Sequence, residues 1–147
     1  MPVNHLTHAA LAHLGRLQNG EYIIDGAPAR CRELDERNLA TFEQAGGGTA
    51  GLKLLEADLV VTNRALCYVA YHLQMASIAE WEVLCGVETA KPKRLFSVLA
   101  PLTVVYRTGR RQDFQVSRGA VKPIARHVLQ QLAIDSGHAD QPTASAE

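Results

Sequence analysis

The hydrophobic pattern of this chain changes its period once, and that change limits the possible folds more than any other feature. Apolar residues alternate with polar ones over 55–61 and again over 102–116, which is typical of strands that bury one face. Over 121–132 the apolar residues recur every three or four positions, which is typical of an amphipathic helix. We therefore expect mostly antiparallel strands over 52–117, followed by a helix over about 120–134.

Other segments give weaker signals. Apolar residues over 4–18 share one helical face, so an N-terminal helix is expected there. Residues 21–27 favour a strand. Residues 34–45 fit a short helix or an irregular excursion, and residues 73–87 fit either a strand or a helix. The glycine-rich stretch 46–51 reads as a flexible linker.

The two periodic regions also predict the core. The residues on their apolar faces should be among the most buried of the chain. They are Leu59, Val61, Leu66, Tyr68, Leu102, Val104, Phe114, Val128 and Leu132.

Length and composition limit the class of protein. The chain has 147 residues, 47% of them hydrophobic, which suits one globular domain with a buried core. No apolar run approaches the roughly 18 residues of a membrane-spanning helix, and residues 1–20 lack the basic start and apolar stretch of a signal peptide. Three widely spaced cysteines, Cys31, Cys67 and Cys85, favour a reducing compartment. We expect a cytoplasmic protein, with peripheral contact at the membrane left open.

Charge is unevenly distributed although the net charge is zero. Residues 1–90 hold six basic and eleven acidic side chains, whereas residues 91–126 hold nine basic side chains against Asp113 alone. This asymmetry fits an anionic partner, and it also fits a solvated surface that the acidic part neutralises within the fold or across a dimer. Five basic residues in a Pro-containing loop and at a hairpin tip are the candidate contacts: Lys91, Lys93, Arg94, Arg110 and Arg111.

Catalytic motifs are missing from the sequence. It contains no phosphate-binding loop, nucleophile elbow or His-Glu-x-x-His helix. His5 and His8 could reach one metal ion from a helix, but no cysteine or carboxylate lies near them, so surface histidines without a ligand role are expected. Cys67 and Cys85 should be buried, unreactive thiols. We expect no catalysis, cofactor or metal, and an aromatic fraction of 5% argues against nucleic-acid binding.

The segment 59–69, LVVTNRALCYV, carries a leucine, an aliphatic residue, Thr, Asn and a basic residue, then aliphatic and aromatic positions. This resembles the strand–turn–strand segment of the bacterial pleckstrin-homology-like superfamily, in its PH and GRAM forms. Residues 78–87, the hairpin over 102–116 and the helix over 121–132 follow in an order similar to that family's. With a first strand at Gly20-Glu21, the resemblance covers about residues 20–27 and 52–133.

The resemblance implies an α+β, mainly β fold: a strongly bent antiparallel sheet, or partly open barrel, with a C-terminal capping helix. The N-terminal helix would be an addition. The expected division is a helical extension over 1–19, a PH/GRAM-like domain over 20–134 and a disordered tail over 135–147, which has almost no apolar residues.

The resemblance also implies a non-catalytic binding module that recognises a protein, a peptide or an anionic lipid head group. For an anionic head group, the five basic residues above are the contacts we expect. A second hypothesis is a homo-oligomeric assembly protein that uses exposed strand edges. A small enzyme of unrecognised class is the third.

Overall fold

The computed structural model describes residues 13–47, 56–71, 73–92 and 97–145. Seven strands and two α-helices lie within these ranges, together with short 3-10 turns at Leu14–Arg16, Trp81–Val83 and Arg118–Ala120. In chain order the elements are β1 (Ile23–Arg30), α1 (Arg32–Gln44), β2 (Ala57–Thr62), β3 (Ala65–Ala70), β4 (Met75–Glu80), β5 (Leu84–Thr89), β6 (Leu99–Tyr106), β7 (Arg111–Ser117) and α2 (Val121–Ser145).

The strands form one antiparallel sheet in the order β4-β3-β2-β1-β7-β6-β5. β1 joins the two halves, since Ile23–Pro28 pairs with β2 whereas Ala29 and Arg30 pair with β7. β4 and β5 follow one another directly through the turn Trp81–Val83, yet they are the two outermost strands of this order. The sheet is therefore antiparallel throughout and unclosed, with β4 and β5 as its edges.

Local sequence and contacts between distant residues together set the element boundaries. Gly109 adopts a left-handed φ of +91° in the β6–β7 hairpin, a conformation that glycine reaches without strain. The stretch 73–87, which fitted either period, forms two strands because a turn breaks it where the Trp81 indole N–H donates to the Thr62 carbonyl at 3.0 Å. The stretch 34–45 is helical, and α1 carries Glu33 and Asp35 in its first turn, where the helix dipole favours acidic groups.

The expected core is confirmed, because all nine residues proposed for it are buried. They belong to one cluster, which also includes Val121 and Ile124 of α2 beside Val128 and Leu132. This face of α2 packs against the sheet, mainly at β5 and β1. The C-terminal helix therefore completes the core, as the change of period predicts.

Two expectations about exposure and order were wrong. All six residues of β2 are buried, not only those of one face, because Val60 packs with Cys67 and Val69 in a second cluster on the opposite side of the sheet. The last helix ends at Ser145 rather than near residue 134, so much of the expected disordered tail is helical. The part of α2 that the core holds in place, up to Leu132, serves as the nucleus from which the hydrogen-bonded turns continue.

The expected N-terminal helix and the glycine linker fall largely on residues 1–12 and 48–55, outside the described ranges. Of the former, the structure describes a 3-10 turn at Leu14–Arg16. No helix in the described part of the chain is long and apolar enough to cross a membrane.

Candidate functional site

A cleft opens between the two halves of the sheet, and we call it the inter-sheet cleft. Its volume is about 300 Å³. Its residues come from α1 and from β2, β3, β4, β6, β7 and the β6–β7 hairpin: Leu34, Arg37, Leu59, Leu66, Tyr68, Ser77, Ile78, Ala79, Tyr106, Arg110, Gln112 and Phe114. The cleft therefore has an apolar floor and a mouth that carries polar and basic side chains.

Small side chains on β4 leave this space unfilled. Ser77 lies directly opposite Tyr68, and Ala79 lies directly opposite Leu66. Directly opposite residues of an antiparallel pair share a face of the sheet, so Ser77 and Ala79 face inward with the large residues of β3. β4 is an edge strand, so within the described ranges no further strand packs there to fill the gap that these small residues leave.

Polar groups occupy one wall of the cleft. The Tyr106 hydroxyl donates to Gln112 Oε1 at 2.9 Å, and the Arg110 guanidinium lies 5.2 Å from the centre of the Tyr106 ring. Arg110 also pairs with Glu33 of α1. Burial raises the pKa of Tyr106, and the nearby Arg110 opposes that rise. Arg110 is therefore held at the mouth by a ring and a carboxylate.

A buried hydrogen-bond network fixes α1 beside the cleft. The Tyr68 hydroxyl donates to Asp35 Oδ1 at 2.6 Å and accepts from the Cys31 backbone N–H at 3.0 Å. Asp35 Oδ2 lies 3.4 Å from Arg30 Nε. Burial raises the pKa of Tyr68, and its hydrogen bond to Asp35 raises it further. Tyr68 thus links β3 to the start of α1 as a neutral hydroxyl.

A second concave surface, the β5–α2 groove, lies between the end of β5 and the outer side of α2. Its volume is about 460 Å³, and its residues are Thr89, Lys122, Ala125, Arg126, Leu129, Gln130 and Ala133. Leu129 is 53% exposed there. Lys122 and Arg126 stand one helical turn apart, so their charges lie on the same face of α2. Within the described ranges β5 pairs with β6 alone.

The Thr-Asn-Arg turn between β2 and β3, which carries the family resemblance, is engaged in structural bonds. The Thr62 hydroxyl donates to Glu21 Oε2 at 2.7 Å and accepts from the backbone N–H groups of Arg64 and Ala65. The Asn63 side chain accepts from the Tyr22 N–H and donates to the carbonyl of Gly20. These bonds tie the turn to the segment that leads into β1.

Arg64 and Glu21 complete that connection. Arg64 Nη1 donates to Glu80 Oε2 at 2.9 Å, and Arg64 Nε lies 3.3 Å from Glu21 Oε1. Burial acts to raise the pKa of Glu21, but hydrogen bonds from the Gln18 N–H and the Thr62 hydroxyl, together with the paired Arg64 guanidinium, outweigh it and lower the pKa below 4.5. The polar groups of this turn therefore join strands, and we assign them no ligand.

Of the five basic residues expected to meet an anion, the structure describes three, and these lie in two separate places. Lys91 is exposed just after β5, and Lys93 and Arg94 lie outside the described ranges. Arg110 and Arg111 are exposed at the β6–β7 hairpin, where Arg110 pairs with Glu33 and Arg111 with Glu88.

Lys91 and the hairpin do not converge. The chain enters β6 from the loop after Lys91 and leaves it at the hairpin, so the two lie at opposite ends of that strand. Eight residues of strand separate those ends by roughly 23 Å. Lys91 instead follows Thr89, which lines the β5–α2 groove with Lys122 and Arg126.

The thiols differ from one another in exposure. Cys31 and Cys67 are buried, and burial raises the pKa of Cys67 to about 12. Cys85, expected to be buried, is exposed, because the chain leaves a 3-10 turn at Leu84 and the leucine takes the inward position of β5. His5 and His8 lie outside the described ranges. Among the described residues no group of three His, Cys, Asp or Glu side chains is placed to hold a metal ion.

Of the residues that define the two concave surfaces, the sequence indicated Arg110 as a candidate contact and four residues of the cleft as core, but it indicated no residue of the β5–α2 groove as part of a site. The sequence did contain a signal for the groove, because an exposed leucine, Leu129, shares a helical face with the basic Lys122 and Arg126. Arg37 and Gln112 had none, because their place in the cleft depends on how far the sheet bends.

Comparisons with known proteins add information on the fold alone. No family model matches the chain, and no curated protein matches it. One solved structure that is similar is described as the C-terminal domain of an unknown protein from Leishmania infantum. It is 13% identical, with a TM-score of 0.54 over 78% of this chain and 87% of that one. The architecture therefore recurs in a second protein.

Proposed function

We propose that this chain is a non-catalytic binding module of the PH/GRAM-like kind, working in a bacterial cytoplasm, and that it binds an extended peptide in the β5–α2 groove. One observation carries the proposal: β5, an edge strand without a second ladder partner in the described chain, ends at an open, largely apolar groove that its last residue, Thr89, lines. The strand order and the C-terminal capping helix support the PH-like resemblance.

The backbone of β5 supplies the affinity in this proposal. An edge strand presents a row of N–H and C=O groups that an incoming extended segment can pair with. A segment that adds to β5 on the side away from β6 would lie against α2, since α2 packs beside β5. Strand addition of this type gives main-chain hydrogen bonds, and the neighbouring groove reads alternate side chains.

The side chains of the groove set the sequence preference. Leu129 and Ala133 offer apolar contact, while Lys122 and Arg126 add positive charge, with Lys91 just beyond the end of β5. A peptide with an apolar residue next to one or two acidic residues complements this combination. Charge complementarity of this kind mainly sets specificity and association rate.

The test is selection of peptides from a random display library, followed by fluorescence anisotropy with the enriched peptides. We expect enrichment of acidic and apolar residues, and at least tenfold weaker binding by Leu129→Gln. Ile134→Gln is the matched control, because Ile134 is also exposed on α2 but does not line the groove. Arg126→Glu should weaken binding, whereas Arg32→Glu, an equal charge change on α1, should not. Equal effects of the groove variants and their controls would exclude this site.

Self-association is a second candidate function, and a specific observation at the other edge favours it. β4 is the opposite edge strand, carries no basic residue, and exposes 50% of Ile78. Glu80, at the end of β4, is its one charged residue and pairs with Arg64, so little on this exposed edge repels a second copy. If β4 pairs with a second copy, light scattering should give a concentration-dependent mass, and Ile78→Lys should return it to that of a monomer.

The anionic-lipid role of Lys91, Lys93, Arg94, Arg110 and Arg111 stays a prediction. Its test is co-sedimentation with vesicles of graded anionic content at low and high salt, because screening shortens the reach of surface charges. The separation of Lys91 from the hairpin favours the peptide over the membrane surface.

A further inference from the structure

We propose that the inter-sheet cleft binds a small carboxylate with an apolar body, such as a medium-chain fatty acid or an aryl carboxylate. This site is separate from the peptide groove and does not depend on it. The proposal rests on one arrangement: the cleft between the sheet halves has an apolar floor, and two arginines, Arg37 and Arg110, lie at its mouth.

The floor of the cleft suits an apolar group. The nearly fully buried Leu59, Leu66, Tyr68 and Phe114 form the bottom of the cleft, and the small Ser77 and Ala79 leave room above them. A volume of about 300 Å³ lies at the lower end of the range for small-molecule sites. Such sites combine apolar walls with a few placed polar groups, here the hydroxyl of Tyr106 and the amide of Gln112.

The mouth of the cleft selects for a negative charge. Arg110 is held over the Tyr106 ring, which restricts the guanidinium before any ligand arrives. Its partner Glu33 is about half exposed, and ion pairs of that exposure contribute little to stability. A ligand carboxylate that is partly shielded from water can therefore replace Glu33 as the partner of Arg110. Arg37, also at the mouth, adds a second positive charge.

The experiment uses three probes of equal chain length: octanoate, 1-octanol and octylammonium. Binding is measured on the full chain by isothermal titration calorimetry, and NMR chemical shifts locate the bound probe. We expect saturable binding in the order octanoate, octanol, octylammonium, with shifts at Tyr68 and Phe114. Absence of saturable octanoate binding, or equal binding of octanoate and octylammonium, would overturn the proposal.

Variants separate the cleft from nonspecific charge effects. Arg110→Gln should weaken octanoate binding at least tenfold, and Glu33→Gln should strengthen it about threefold because it removes the competing carboxylate. Arg111→Gln is the matched control: it lies on the same hairpin, pairs with Glu88 and does not line the cleft.

A space-filling variant tests the apolar part of the site. Ala79→Leu should block the floor and abolish binding of both octanoate and octanol. If Ala79→Leu does not fold, the comparison of the surface variants Arg110→Gln and Arg111→Gln still tests the proposal. Equal affinities of those two variants for octanoate would refute it.

Discussion

Removal of one buried hydroxyl, in Tyr68→Phe, should destabilise this protein and loosen the attachment of α1 to the sheet. The Tyr68 hydroxyl is the donor to Asp35 Oδ1 and the acceptor for the Cys31 N–H, and all three residues are buried. Phenylalanine keeps the ring and its contact with Phe114, whose centroid lies 5.7 Å away. The substitution therefore isolates the two hydrogen bonds.

The expected loss in the free energy of unfolding follows from the two buried polar groups that lose the Tyr68 hydroxyl as a partner. A hydrogen bond to a carboxylate contributes about 1.5–3 kcal/mol, and a buried N–H without a partner costs about 1–3 kcal/mol. Asp35 keeps Arg30 as a neighbour, and local relaxation recovers part of the loss, so we expect about 2–4 kcal/mol in the free energy of unfolding. Hydrogen exchange should also accelerate in α1, because Cys31 and Asp35 lie at its start.

Urea titration followed by circular dichroism measures this loss. Tyr106→Phe is the comparison, since it removes a hydroxyl bonded to Gln112 in a half-buried position and should cost only about 0.5–1.5 kcal/mol. A loss below about 0.5 kcal/mol for Tyr68→Phe, or one equal to that of Tyr106→Phe, would refute the view that this network fixes α1.

Three further predictions follow from burial. Leu132→Ala should cost about 2–5 kcal/mol in urea titration because Leu132 is only 8% exposed in the main core, whereas Leu129→Ala, on the outer face of α2, should cost less than about 0.5 kcal/mol. Burial lowers the pKa of His13 below 6.5, so the unfolded state takes up the proton first and stability falls as the pH drops through 6.5. His13→Gln should reduce this loss between about pH 7.5 and about pH 5.5, and an unchanged slope would contradict it. A thiol reagent should modify Cys85 alone in the native protein and all three cysteines in urea, and rapid native modification of Cys67 would show that β3 opens.

The elements that the sequence predicted well are those whose burial is one-sided. The β6–β7 hairpin buries Leu102, Val104 and Phe114 and leaves the alternate positions less buried, so its period is visible in the sequence. β2 and β3 are buried on both faces. The sequence also indicated this, because Val60 and Val69 place apolar side chains on the second face. The error was to assume one solvated face for an antiparallel strand.

The elements that the sequence did not resolve depend on contacts between distant residues. The division of 73–87 into β4 and β5 depends on the Trp81 indole, whose acceptor is the Thr62 carbonyl nineteen positions away. α1 depends on Tyr68 in the same way, thirty-three residues from Asp35. The local hydrophobic period does not depend on such long-range pairs. The secondary structure of these two segments therefore could not be predicted from the sequence, although their residues are compatible with the observed elements.

The separation of the basic residues, in contrast, was implicit in the predicted topology. In a meander of antiparallel strands, the loop before a strand and the hairpin after it must lie at opposite ends of that strand. Lys91 precedes β6 and Arg110 follows it, so the hairpin prediction already excluded their convergence. Any basic side chains that join Lys91 must instead belong to an element that passes close to the end of β5. Among the described elements the last helix does so, and its face with Lys122 and Arg126 meets Thr89 there.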